Sequence, residues 1–164
     1  MIVILTALDF EGAAVRAHLG GLRLHHHQAG TIFEVGHLLA RPSCEVALAI
    51  IGMGTVNAAA ITERAIAEFR PSAVVLVGIA GGLRDWVKLG DIVVATKVYA
   101  YQGGRADGEE FLARPRAWDT SHRLLQLAKH VNRSKAWPGA DQIPAEVHFE
   151  PVAAGDVVHL RAVG

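Results

Sequence analysis

The stretch at residues 74–94, VVLVGIAGGLRDWVKLGDIVV, constrains the fold of this chain more than any other. It opens with four apolar residues at 74–77, and Gly78, Gly81 and Gly82 follow at once. An apolar run of this kind is typical of a parallel strand that is covered on both faces. Glycines at the carboxyl end of a strand let the backbone approach a ligand, and open α/β sheets bind small molecules at that edge. The pattern predicts a binding site here, although the same glycines are also compatible with a simple turn.

The rest of the chain alternates between strand and helix patterns. Strands are predicted at 2–5, 31–35, 45–51 and 147–158, helices at 8–19, 55–69 and 121–131, and loops at 101–119 and 132–144. This alternation predicts a layered α/β domain with a parallel or mixed sheet. Neither a repeat nor a linker is visible, so residues 1–164 are predicted to form a single domain. The sequence stops soon after its last predicted strand, which predicts either a partner subunit over that edge or a longer fold.

Composition narrows the class of protein. Sixteen basic and sixteen acidic side chains balance, so no basic surface for nucleic acid is expected. No apolar run reaches the roughly 20 residues that a membrane helix needs, and the N-terminus lacks the basic segment of a secretory signal. Cys44 is the only cysteine, which fits a reducing compartment. We therefore expect a soluble cytoplasmic protein without a membrane or nucleic-acid partner.

Two motifs that suggest cofactors have simpler interpretations. Residues 52–57, GMGTVN, resemble a dinucleotide fingerprint, but Asn57 stands in place of the third glycine and no acid follows about 20 residues later. A tight strand-to-helix turn is therefore favoured.

His25, His26 and His27 could bind a metal ion, but consecutive histidines do not converge as helix-spaced ligands do, so a solvated turn is favoured. Neither a metal ion nor another cofactor is predicted.

Glu11 is the strongest candidate for a catalytic side chain. It follows the first predicted strand by one helical turn, so its carboxylate can reach the sheet edge that also carries the glycine bend. A carboxylate there could orient and deprotonate a water molecule. The alternative is a solvated acid that stabilises a helix N-terminus. Asp91 and Asp156, which follow Gly90 and Gly155, are predicted to bind backbone groups at strand ends rather than to act in catalysis.

Several motifs together resemble the nucleoside phosphorylase superfamily, in particular its methylthioadenosine/S-adenosylhomocysteine nucleosidases. They are ILTALDFE, GMGTVNAA, VVLVGIAGGL, VKLGDIVVA and VAAGDVV, which occur in the family's order. The resemblance implies an α/β/α sandwich with a mixed central sheet, and hydrolysis of the N-glycosidic bond of a purine nucleoside by a homodimer or larger homo-oligomer. In the family, the acid at Glu11 binds the attacking water, and the residue at Leu8 lines the ribose and 5′ pocket. The bend that approaches the ribose corresponds to Gly78, Ile79, Ala80, Gly81 and Gly82.

The sequence departs from the family at identifiable positions. Leu76 replaces the arginine of phosphorylases, which favours water over phosphate as nucleophile, and Ile79 replaces a serine of the bend. Val158 stands where an aromatic residue packs on the base, so it is the expected base-binding position. The family's Met-Glu pair for the ribose and its Ser-Asp pair for base protonation have no match in residues 1–164, so the chain resembles the N-terminal two-thirds of the fold.

Three functions remain open on these grounds. The first is purine nucleosidase activity. The second is a non-catalytic nucleoside- or nucleotide-sensing module, because GEEFLARP and VHFEPVAAGDVV resemble nucleosidase-like domains of larger bacterial defence or signalling proteins. The third is a structural α/β module that uses the fold only to dimerise.

Overall fold

The structure is a computed structural model, and it describes residues 1–108, 110–135 and 145–156. The chain divides into two compact units, Met1–Ala80 and Gly81–Gly164. Among the described residues, the strands of the first unit form one five-stranded sheet, and those of the second form a three-stranded and a two-stranded sheet.

The first unit has a mixed sheet with the strand order β2-β3-β4-β1-β5. Its elements are β1 (Ile2–Thr6), α1 (Asp9–Arg16), β2 (Leu19–His26), β3 (Ile32–Leu38), β4 (Arg41–Ile50), α2 (Thr55–Phe69) and β5 (Val74–Leu76). Strand β1 pairs in parallel with β4 and with β5, whereas β2, β3 and β4 are antiparallel neighbours. The predicted mixed sheet is therefore confirmed.

Two helices cover opposite faces of this sheet. Successive residues of β1 alternate between the faces, so Val3 contributes to one core cluster and Ile4 contacts the other. Helix α2 packs the fully buried Ala65 into the first cluster, and α1 packs Val15 against the second. The first unit is thus a three-layer α/β/α arrangement, as the family resemblance implies.

Helix α2 agrees with the sequence prediction at both ends. Ala58, Ile61, Ala65 and Phe69 recur at three- or four-residue spacing, and all four face the same core cluster. Pro71 cannot continue the helix, because it lacks an N–H group and its ring clashes with the preceding turn.

The second unit is built around β6. Its elements are β6 (Ile92–Ala100), β7 (Gly104–Asp107), β8 (Glu110–Ala113), β9 (Arg116–Asp119), α3 (His122–Arg133) and β10 (Val147–Ala154). Strand β6 lies between β10, which is parallel, and β9, which is antiparallel. Strands β7 and β8 form a separate hairpin. A register shift between Glu150 and Val152 accommodates Pro151, which cannot donate a backbone hydrogen bond.

Three predictions about local structure are wrong. The first helix ends at Arg16 rather than at residue 19, and the following residues form β2, so His25 and His26 lie in a strand rather than in a solvated turn. A register shift between Gly20 and Arg23 breaks the alternation that would have revealed this strand.

The predicted loop at 101–119 contains β7, β8 and β9. Every residue of β8 and β9 is exposed, so these strands have no buried face to produce an apolar alternation.

The strand at 74–77 is not covered on both faces. Val75 and Leu76 are 37% and 67% exposed. Among the described residues, β5 stands at the edge of its sheet beside β1. Within the described ranges, no helix has both the length and the apolar character required to span a bilayer.

Candidate active site

Glu11 occupies the first turn of α1, directly after the parallel strand β1. Glu11 is only 6% exposed. Carboxylates are rarely buried unless they have hydrogen-bond or ionic partners. The chain leaves β1 at Thr6 and enters the helix at Asp9, so the side chain of Glu11 turns back toward the carboxyl end of the strand. The sequence therefore places this acid at the sheet edge where open α/β folds bind ligands.

Three backbone amides hold the carboxylate. Ala7 N and Leu8 N each donate to Oε2 of Glu11 at 2.9 Å, and Ile79 N donates to Oε1 at 2.8 Å. The first two bonds lie within the β1–α1 connection, whereas the third comes from the bend that follows β5. Glu11 thus links the two segments that the sequence predicted to meet at this edge.

Gly78 makes the contact with Ile79 possible. A Cβ atom on Gly78 would lie 2.9 Å from Oε1 of Glu11, closer than Cβ atoms approach oxygen in real structures. The missing side chain therefore lets the bend come close enough for its amide to reach the carboxylate. This observation favours close approach over a simple turn at Gly78.

The carboxylate of Glu11 retains one acceptor position. An ionised carboxylate offers about four lone-pair sites, and three N–H groups occupy three of them. Oε2 accepts two of these bonds and Oε1 accepts one, so the remaining position is on Oε1. A water molecule that donates one hydrogen there keeps a lone pair for attack on an electrophilic carbon.

The remaining predicted site residues fall in different parts of the chain. Leu8 is half-buried and extended at the N-terminus of α1, while Ile79 and Ala80 are exposed in the first unit beside Gly78. Gly81 and Gly82 belong to the second unit. A Cβ on Gly81 would meet nothing within 4 Å, and one on Gly82 would meet Val87 at 3.6 Å. Val158 lies outside the described residues.

Sequence reasoning missed a polar cluster in the second unit. Oδ2 of Asp91 lies 3.0 Å from Nε2 of His148, whose ring packs against Trp86 with the centroids 4.9 Å apart. Asp91 also accepts hydrogen bonds from Lys88 N at 2.8 Å and from Glu146 N at 3.1 Å. The predicted role of Asp91, binding backbone at a strand end, is confirmed. Its histidine partner is 57 positions away and gave no local signal.

Hydrogen bonding lowers the pKa of Asp91 to about 2. The backbone amide of Lys88 makes the largest contribution, followed by the side chain of His148 and the amide of Glu146. Each of these donors stabilises the ionised carboxylate. The arrangement connects the turn before β6 to the start of β10, so we assign it to structure.

The three histidines at 25–27 do not converge on a metal ion. Nε2 of His25 lies 2.8 Å from Oε1 of Glu68, and its ring packs on Phe69 with the centroids 5.0 Å apart. Nδ1 of His27 instead accepts a hydrogen bond from Ala29 N. Within the part of the chain that the structure describes, no three His, Cys, Asp or Glu side chains are grouped as a metal site.

Comparison with known proteins identifies the family. The family model described as "Phosphorylase superfamily" matches residues 1–161. A 5′-methylthioadenosine/S-adenosylhomocysteine nucleosidase of Maridesulfovibrio salexigens is 34% identical over 116 residues, which cover 68% of this chain and 47% of that protein. An Escherichia coli protein named ATP nucleosidase Cap17 is 36% identical over 75 residues, which cover 45% of this chain and 15% of that protein.

A solved structure supports the same relationship. The 5′-methylthioadenosine/S-adenosylhomocysteine nucleosidase of Colwellia psychrerythraea, in complex with adenine, is 28% identical and gives a TM-score of 0.77. The match covers 95% of this chain and 62% of that one, and it confirms the predicted α/β fold class. The chain spans about half the length of the Maridesulfovibrio relative. Its sequence and its fold both show that the chain belongs to the phosphorylase superfamily.

Proposed function

We propose that this chain carries the water-activating part of a purine nucleosidase, which hydrolyses the N-glycosidic bond of methylthioadenosine, S-adenosylhomocysteine or a related nucleoside or nucleotide. The observation that carries the proposal is the buried carboxylate of Glu11, fixed by three amides with one acceptor position left on Oε1. Relatives of this chain are named as nucleosidases for such substrates. The proposal concerns the complete protein.

In this mechanism, Glu11 orients water toward the anomeric carbon. As the glycosidic bond lengthens, positive charge develops on the ribose, and a nearby carboxylate stabilises such an oxocarbenium-like transition state. The water transfers a proton to Glu11 as its oxygen bonds to the carbon. The bond to the base breaks at the same time, and the departing base takes its proton from the acid of the family's Ser-Asp pair, a motif without a match in residues 1–164. General acid–base groups of this kind typically contribute about 10²–10⁴-fold each.

The remaining site residues have positioning roles in this proposal. Leu8 and the segment formed by Gly78, Ile79 and Ala80 line the ribose side in the first unit. Gly81, Gly82 and Val158 keep the substrate-binding roles that the family resemblance implies. Leu76 supports water rather than phosphate as the nucleophile, because an apolar side chain cannot neutralise a phosphate dianion. A homodimer and a cytoplasmic location remain predictions.

The second candidate function is a sensing module that binds a nucleoside or nucleotide without cleaving it. It is favoured by Ile79, a residue that is 73% exposed and whose apolar side chain offers no polar contact to a nucleophile. The similarity to ATP nucleosidase Cap17 also covers only 15% of that protein, so related sequence occurs within larger proteins.

The decisive experiment measures release of free base by chromatography. Methylthioadenosine, S-adenosylhomocysteine, adenosine, inosine, AMP and ATP are incubated with the complete protein, with and without phosphate. Base release that does not require phosphate supports a hydrolase. Binding without release supports the sensor, and release that requires phosphate contradicts the role given to Leu76.

Variants at Glu11 test its role in that assay. Glu11→Gln removes the free acceptor on Oε1, so we expect base release to fall by about 10²-fold or more while binding persists. Glu63→Gln, an exposed acid on α2, is the matched control and should retain full activity. Unchanged release by a folded Glu11→Gln protein would exclude Glu11 as the water-activating group.

A further inference from the structure

The first unit has a second concave surface that the proposed function does not use. It is a groove of about 620 Å³ where β4 ends and β3 begins, and neither Glu11 nor the glycine bend lines it. Five of the residues that line it carry large aliphatic side chains: Leu24, Ile32, Leu48, Ile50 and Ile61. Its volume lies within the range typical of small-molecule sites.

Several of these aliphatic side chains face solvent. Leu24 is 60% exposed, Ile32 is 50% exposed and Ile50 is 45% exposed, although all three lie in strands of the five-stranded sheet. Exposed apolar side chains that lie singly need no explanation, but a cluster that lines a concave surface is typical of a binding site. The groove carries no aromatic side chain, so it suits an aliphatic group rather than a flat ring that stacks.

Arg64 and Thr31 provide a polar end to the groove. Nη1 of Arg64 donates to Oγ1 of Thr31 at 2.8 Å. The threonine oxygen acts as the acceptor in this bond, so its hydrogen remains available to another acceptor. The guanidinium has five N–H groups, and no carboxylate among the described residues forms an ion pair with it. These donors form a set that suits an anionic oxygen ligand.

The charge in the groove selects a monoanion. Glu34 also lines it, but Nε of Arg16 binds both oxygens of that carboxylate at 2.9 and 3.1 Å, so the two charges cancel. The groove therefore has a net charge of +1, which comes from Arg64. A single guanidinium matches a carboxylate in both charge and bidentate geometry, whereas a phosphate dianion would keep a net negative charge beside it.

We propose that this groove is a binding site for a small aliphatic carboxylate. The carboxylate accepts hydrogen bonds from Arg64 and Thr31, and the aliphatic chain covers Leu24, Ile32 and Ile50. The ligand class follows from the groove alone, so the proposal is independent of the nucleosidase function. Decanoate is a suitable probe because it combines one carboxylate with a flexible aliphatic chain.

The test compares three probes by calorimetric titration of the full chain, below the concentration at which decanoate aggregates. Decanoate should bind, while acetate, which lacks the chain, and decanol, which lacks the charge, should each bind at least tenfold more weakly. In a methyl NMR spectrum, decanoate should shift the resonances of Ile32 and Ile50 and leave that of Ile4 unchanged. Tighter binding of octyl phosphate than of decanoate would contradict the choice of a monoanion.

Variants separate this site from general surface binding. Arg64→Gln should weaken decanoate binding by about tenfold or more, because charged hydrogen bonds of this type contribute on the order of a factor of ten each. Thr31→Val provides a second test if the first variant does not fold. Arg23→Gln, an exposed arginine of β2 outside the groove, is the control and should bind decanoate as the unmodified chain does.

Two results would overturn the proposal. One is equal binding of decanoate by the unmodified chain, Arg64→Gln and Thr31→Val. The other is a stable homodimer that does not bind decanoate and that dissociates when Ile32 is changed to Glu, because the groove would then be covered by a second copy of the chain. Sedimentation velocity with and without decanoate distinguishes these cases.

Discussion

The backbone nitrogen of Ile79 lies 2.8 Å from Oε1 of Glu11, which precedes it by 68 positions in the chain. This bond joins the end of β5 to the first turn of α1. It also decides which lone pair of the carboxylate remains free, because Ala7 and Leu8 already occupy Oε2. The stability of this part of the molecule and its proposed chemistry therefore depend on the same side chain.

Gly78→Ala should disrupt this contact. The new Cβ would lie 2.9 Å from Oε1 of Glu11, so either the carboxylate or the bend must move and the bond from Ile79 is lost. We expect a loss of roughly 1–3 kcal/mol in the free energy of unfolding of the first unit, measured by urea denaturation. Gly81→Ala is the matched control, because a Cβ there meets nothing within 4 Å, and its stability should change by less than about 0.5 kcal/mol. Equal effects of the two substitutions would contradict this explanation.

Glu11→Ala should destabilise the first unit more than Glu11→Gln does. Alanine leaves the amides of Ala7, Leu8 and Ile79 without their acceptor, whereas the glutamine carbonyl can still accept from the first two. We expect a loss on the order of 3 kcal/mol for alanine and about 1 kcal/mol for glutamine in the same urea experiment. If both variants matched the unmodified chain in stability, the three amides would contribute nothing to folding.

Thr6→Val should stabilise the protein. Thr6 is fully buried, and among the described residues its Oγ1 has no hydrogen-bond partner. Valine has nearly the same shape and removes the buried hydroxyl, so we expect a gain of about 1 kcal/mol in the free energy of unfolding. Thr120→Val serves as the opposite control, because Thr120 Oγ1 donates to the carbonyl of Thr96 and its loss should destabilise the chain. Destabilisation by both changes would indicate that the Thr6 hydroxyl does have a partner in solution.

Asp91→Asn should change the acid stability of the second unit. The folded-state pKa of Asp91 is about 2, below its ordinary value of 3.8, so its contribution is present above pH 3.8 and is lost as the pH falls toward 2. The asparagine variant lacks this component, so the stability difference between the two proteins should shrink over that pH range. Glu150→Gln, at an exposed acid of the same unit, is the control.

Tryptophan fluorescence measures this effect selectively. Trp86 and Trp118 lie in the second unit, and residues 1–80 of the first unit contain no tryptophan. Urea denaturation followed by fluorescence at several pH values between 2 and 6 therefore reports on the unit that contains Asp91. A constant difference between the unmodified chain and Asp91→Asn across this range would be inconsistent with a lowered pKa.

The sequence predicted elements whose signals are local. Helix α2 was predicted at its observed position, because Gly54 and Pro71 bound it. Glu11 could be placed at the ligand-binding edge because one helical turn after a parallel strand leaves few alternatives. Strand β2 was missed since its register shift hides the alternation of side chains.

Contacts between residues that are distant in the sequence could not be predicted. The bond from Ile79 to Glu11 uses an amide, which every residue except proline possesses, so residue type carries no signal for it. The pair formed by Asp91 and His148 depends on the parallel register of β6 and β10, which no local pattern specifies. The groove at Arg64 and Thr31 likewise combines residues from separate elements.

The amides that bind Glu11 have a consequence for how this site can diverge. Because the donors belong to the main chain, the side chains at Ala7, Leu8 and Ile79 can change without removing any of the three bonds. Specificity for the ligand can therefore vary at these positions while the geometry of the carboxylate stays constant. Gly78 is the exception, since any side chain there meets the carboxylate itself. The site thus combines a fixed acid with surroundings that are free to adapt to different ligands.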